Sequence, residues 1–126
     1  MRLLGNLLWA VLGGGIFVFV EYLLGAAALF VTIVGIPFGL QSVKLAALSL
    51  APFGREAVPA ENSGGTLSTL MNIVWILFGG VWISLTHVLF ALLFAITILG
   101  IPFARQHMKL AGLALFPFGK EIRCLP

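Results

Sequence analysis

Apolar residues occupy this chain in long runs, and polar residues interrupt them at matching places in its two halves. Leu3 to Val20 carries no charge and is mostly apolar, Glu21 intervenes, and Tyr22 to Ile36 is apolar again. In the second half the runs are Leu70 to Leu85 and Val88 to Ile101, divided by Thr86-His87. As one helix, Leu3 to Ile36 would reach roughly 50 Å at 1.5 Å per residue, whereas a bilayer's hydrocarbon core is about 30 Å thick. A single span would leave an apolar arm in water or draw Glu21 into mid-bilayer. The pattern therefore predicts two short arms per half, with turns at Glu21-Tyr22 and Thr86-His87.

Each pair of arms is followed by a segment of different character, Gly39 to Leu50 and Ala104 to Leu115. Gln41 and Lys44 share one helical face there, and Leu40, Val43, Ala47 and Leu50 share another. Pro37 and Pro102 suit the first turn of such helices, and Pro52 and Pro117 end them. This predicts short amphipathic helices at the membrane interface.

The halves are copies of one unit. Thr-Ile-Val-Gly-Ile-Pro-Phe at Thr32 to Phe38 returns as Thr-Ile-Leu-Gly-Ile-Pro-Phe at Thr97 to Phe103. In the same register, Gln41, Lys44 and Pro52-Phe53-Gly54-Arg55-Glu56 meet Gln106, Lys109 and Pro117-Phe118-Gly119-Lys120-Glu121. Upstream, Asn6, Trp9 and Gly13 to Gly15 match Asn72, Trp75 and Gly79-Gly80, shifted by a single residue. The expected organisation is a first repeat over 1–56, a polar linker over 57–69, a second repeat over 70–121 and a tail over 122–126.

Composition decides the solvent. Hydrophobic residues make up 61% of the chain and charged residues 9%, against about 25% charged in a soluble domain, and mean hydropathy is +1.17. The expected fold is all-α and integral to the membrane. It comprises two parallel-oriented helical-hairpin repeats, about four short membrane helices in all, with an amphipathic helix after each Gly-Ile-Pro-Phe. The net charge of +3 is not massed into a basic patch, so nucleic acid is not an expected partner. Two arms per repeat put every basic residue on one side, which the positive-inside rule assigns to the cytoplasm together with both termini. The N-terminal run and Ala26-Ala27-Ala28 look like a cleavable signal peptide. The same apolar segment recurs inside the chain, however, so the first copy is read as retained membrane structure.

The series Asn-x-x-Trp, Gly-Gly, Gly-Ile-Pro-Phe and Pro-Phe-Gly-[Arg/Lys]-Glu, present in both halves, resembles the YccF family of bacterial inner-membrane proteins. The resemblance covers nearly the whole chain apart from the linker and the last residues. It implies a bacterial inner-membrane location and a domain carried in two copies, and brings no established activity; the span count predicts a multi-pass protein. Repeat one departs from the arginine often seen after the motif, with Leu40 where repeat two has Arg105.

Chemistry-bearing residues are sparse. His87 at a predicted external tip and His107 on the opposite face would not share a metal, no carboxylate cluster has ligand spacing, and Cys124 is the only cysteine. Serines lack a histidine-acid constellation in sequence. No catalytic residue, metal ligand or cofactor is expected. The candidate pore or ligand contacts are Asn6, Gln41, Lys44, Asn72, Gln106 and Lys109. Gly35, Pro37, Gly39, Gly100, Pro102 and Ala104 are read as packing or kink positions, because small residues four apart let helix backbones approach. Two function classes remain open. One is an oligomeric ion channel or transport protein, with the bilayer, further copies of the chain and an inorganic ion as partners. The other is an accessory module that packs against a partner membrane protein without conduction.

Overall fold

The computed structural model describes residues 2–61 and 65–125. Part of the expected linker, residues 62–64, lies outside them. The chain divides into two compact units, Met1–Glu56 with Ile122–Pro126, and Ala57–Glu121.

In the first unit, α1 (Arg2–Leu12) and α2 (Gly15–Phe30) meet at a 71° bend. Gly14 makes the break with φ +84°, a left-handed conformation that costs glycine little and other residues more. A short turn then leads into α3 (Ile36–Leu50), with Pro37 in its first turn. This helix runs back along α2. Its Gly39 lies against the Phe30 ring and its Ser42 bonds the Tyr22 carbonyl.

In the second unit, α4 (Thr66–Trp75), a wider π-type turn (Ile76–Gly80) and α5 (Val81–Ile96) form one continuous helical stretch. The stretch Thr66–Ile96, 31 residues long, is apolar and long enough to cross a membrane. A 3₁₀ turn (Ile98–Gly100) leads to α6 (Ile101–Leu115), which packs back on α5.

Each hairpin closes on small residues. Gly15, Val18, Tyr22 and Ala26 are the buried positions of α2, and Gly39, Ser42, Ala46 and Ser49 are among those of α3. In the second unit Ser84, His87 and Ala91 of α5 are buried, as are Ala104, His107, Ala111 and Ala114 of α6. Small side chains bring helices close enough for dispersion contacts to hold them where lipid supplies no hydrophobic drive.

This corrects the expected turns. Glu21-Tyr22 and Thr86-His87 lie inside α2 and α5; the reversals come at residues 31–35 and 97–100. A polar residue interrupting an apolar run was equated with a loop, but Tyr22 and His87 are buried toward the returning helix. The segments expected as separate interfacial helices are those returning limbs. Their predicted apolar stripe, Leu40, Val43 and Leu50, does face outward.

The all-α expectation also misses a two-stranded ribbon of β1 (Arg55–Pro59) and β2 (Lys120–Cys124). The strands are antiparallel: Leu125 N–H donates to the Gly54 carbonyl at 2.7 Å, and Ala60 N–H donates to the Gly119 carbonyl at 2.9 Å. The ribbon begins at Arg55-Glu56 and Lys120-Glu121, the last two positions of the duplicated Pro-Phe-Gly-[Arg/Lys]-Glu series. Arg123 pairs with Glu56 across it at 3.3 Å.

Candidate functional site

Backbone demand organises the two ends of each hairpin. The returning helices α3 and α6 each lead into a Pro-Phe-Gly turn, and Gly54 and Gly119 there have φ near +80° (81° and 82°). An asparagine closes each turn. Asn6 Nδ2 donates to the Phe53 carbonyl at 3.1 Å while Phe53 N–H donates to Asn6 Oδ1 at 2.8 Å. Asn72 repeats this with Phe118 at 3.2 and 2.9 Å. Above them, Trp9 Nε1–H donates to the Ser49 carbonyl and Trp75 Nε1–H to the Ala114 carbonyl, both at 2.6 Å. Each indole thus takes a carbonyl left over at a helix C-terminus. Asn6 and Asn72, candidates for a pore lining, are engaged in holding turns.

At the opposite end the hairpins are apolar to their tips. Ile33 is 86% exposed and Leu99 94% exposed, a liability in water and no cost in hydrocarbon. The polar atoms of the tips are served from within. Gly35 N–H donates to Thr32 Oγ1 at 3.0 Å, and Thr97 Oγ1 donates to the Phe94 carbonyl at 2.8 Å. Gly35 and Gly100 are packed into these reversals. A Cβ on Gly35 would strike the Leu29 carbonyl oxygen, and one on Gly100 would strike Thr97 Oγ1. Their closest neighbours are in their own turns, whereas Gly39 meets the preceding helix through Phe30. Pro102 lies in the first turn of α6, and Ala104 is buried.

Halfway along, each hairpin carries a polar band. In the first unit Ser42 Oγ donates to the Tyr22 carbonyl at 2.7 Å. In the second, His87 and His107 take the equivalent positions and their Nδ1 atoms are 3.0 Å apart, both rings buried. A hydrogen bond at this distance requires one Nδ1 to carry the proton and the other to accept it. The His107 ring also stacks on Phe90 and Phe94 at centroid distances of 5.2 and 5.6 Å. The expectation that the histidines occupy opposite faces fails because His87 lies within α5, level with the middle of α6. They are brought together as a pair; no group of three or more His, Cys, Asp or Glu suited to a metal occurs among the described residues.

Beside this buried pair runs a flank on the returning helix. Gln41 and Lys44 on α3, and Gln106 and Lys109 on α6, are all half-buried. The Oε1 atoms of both glutamines are shielded from solvent with no hydrogen-bond partner. Lys44, Arg105 and Lys109 therefore sit within the returning limbs instead of beyond them. Only Arg2, Arg55, Lys120 and Arg123 gather at the ribbon and its turns, where Arg2 also donates to the Leu125 carbonyl at 2.7 Å.

Duplicated turns, duplicated asparagine clasps and matched polar flanks mark one domain present twice. Residues 4–55 and 70–120 each match the family model described as YccF, inner membrane component domain. The chain belongs to the YccF family. Inner membrane protein YccF of Escherichia coli (strain K12) is 32% identical over 133 residues, covering 97% of this chain and 87% of that relative. The protein of the same name in Shigella flexneri matches to the same extent. No solved structure matches the chain significantly. In the YccF repeats, the asparagine and tryptophan of Asn-x-x-Trp acquire a structural role, which their recurrence beside Pro-Phe-Gly signalled. Beyond Gly39, a packing position in the sequence, the inward stripe of α3 continues through small residues at 42, 46 and 49. Its spacing of three and four was there to be read.

Proposed function

We propose that the protein is a non-catalytic, multi-pass component of the bacterial inner membrane whose copies assemble around a path for small inorganic ions. One observation carries this reading: the pairs Gln41–Lys44 and Gln106–Lys109 recur at mid-length on hairpins whose neighbouring faces are apolar. Charged side chains in hydrocarbon are costly and are found facing water-filled cavities or polar partners. The glutamine oxygens without partners make the same demand. Each hairpin fills its own interior with small residues, so a path requires flanks from several copies. Ammonium groups along it favour anions. The basic residues at the Pro-Phe-Gly turns and the ribbon support a cytoplasmic position for that end and for both termini in this reading.

The test is reconstitution of the wild type and a Lys44→Gln/Lys109→Gln variant in planar bilayers. The expected result is an anion-preferring current whose reversal potential shifts toward cations in the variant. High salt should weaken the difference, since screening acts over about 10 Å at 0.1 M. No protein-dependent current across voltages and several salts would favour the accessory reading, to which the internal use of Asn6 and Asn72 already lends support. Identical selectivity in the variant would reject the lysines as the filter.

A further inference from the structure

We propose that the outer groove between α5 and α6 binds one anionic phospholipid, with Arg105 taking its phosphate. Ala91 and Ala95 on α5 and Ala104 on α6 leave a trough of about 440 Å³, walled by Leu92 and Met108. That volume is within the usual range of roughly 300–1,000 Å³ for small-molecule sites. Its lining is almost wholly apolar, with Arg105 bordering it chiefly through the carbon stem of its side chain. Ile101, Arg105 and Met108 are exposed on the outward stripe of α6, the stripe that carries Leu40 and Val43 in repeat one. An arginine thus replaces leucine on a face otherwise suited to lipid tails.

Arg105 makes no hydrogen bond or ion pair with the described residues. A guanidinium on a lipid-facing surface is costly alone, and it matches a phosphate with two parallel N–H donors. The trough beside it supplies what an acyl chain needs and offers a free inorganic anion nothing further. Charge and shape together therefore select a lipid over phosphate ion. The proposal rests on insertion of the hairpin in the membrane and is independent of conduction.

The test uses the full chain in a neutral mild detergent, titrated separately with phosphatidylglycerol, phosphatidylcholine and inorganic phosphate. Native mass spectrometry counts adducts and thermal unfolding reports stabilisation. Phosphatidylglycerol should give a single retained adduct and raise Tm, phosphatidylcholine should bind at least tenfold more weakly, and phosphate should do neither. Arg105→Gln should lower phosphatidylglycerol affinity at least tenfold with an unchanged elution volume. Arg105→Lys, which keeps the charge without the planar fork, should fall between and guards against a folding defect in the first variant. Equal binding of the two lipids, an undiminished adduct in Arg105→Gln, or equal stabilisation by phosphate would each overturn the proposal. A protein that binds the lipid as expected but passes no current would retain this site and lose the conduit.

Discussion

His87 and His107 fill the space that Tyr22 and Ser42 fill in the first repeat, and the two solutions differ in kind. In the first unit a hydroxyl satisfies a backbone carbonyl across the hairpin; in the second, two rings satisfy each other. Removing one partner of a buried hydrogen bond leaves the other desolvated, at a cost of about 1–3 kcal/mol. His107→Ser alone should therefore destabilise the protein by that amount in mild detergent, and so should His87→Tyr alone. Combined, they install the pair used in repeat one and should recover a substantial part of the loss. Strict additivity of the two losses in thermal or denaturant unfolding would show that the rings are not coupled. The histidines were visible as matching positions in the duplication, because Tyr22 and His87 share a register, as do Ser42 and His107. Their contact was hidden by placing a turn at the polar residue, where the polar group in fact faces inward across a helix pair.

The helices themselves differ between the repeats at one place, and the single-residue shift upstream locates it. Repeat one has Gly13 to Gly15 and breaks, with Gly14 left-handed. Repeat two has only Gly79-Gly80 and continues through a π-type turn. In both, the indole of the preceding tryptophan crowds the glycines, lying by Gly15 in one and Gly80 in the other. The Pro positions and the outward stripe of α3 were legible because they depend on local rules, the missing N–H of proline and the 3.6-residue period. The ribbon was not, since its strands are distant in sequence and only pairing defines them. At the reversal, Gly100→Leu should cost about 1–3 kcal/mol, because a Cβ there meets Thr97 Oγ1 and the Phe94 carbonyl. Size-exclusion and thermal unfolding in mild detergent check this; unchanged behaviour in both would show that the tip tolerates bulk.

For the whole molecule, apolar content and duplication suffice to indicate a membrane domain built twice, whereas what runs alongside the hairpins depends on which faces they leave outward. The returning helices present an apolar stripe at Leu40 and Val43 and a polar flank at Gln41 and Lys44, separated by about 100° per residue around the helix. If copies assemble around a path, the flank meets water while the stripe meets lipid. Single cysteines at Leu40, Gln41, Val43 and Gln106, in a Cys124→Ser background, distinguish the two in native membranes, because a thiol reacts with charged methanethiosulfonate only where water lets it ionise. The expected result is modification at Gln41 and Gln106, with Leu40 and Val43 protected. Protection of all four positions, or equal modification of stripe and flank, would contradict a polar path built from these hairpins.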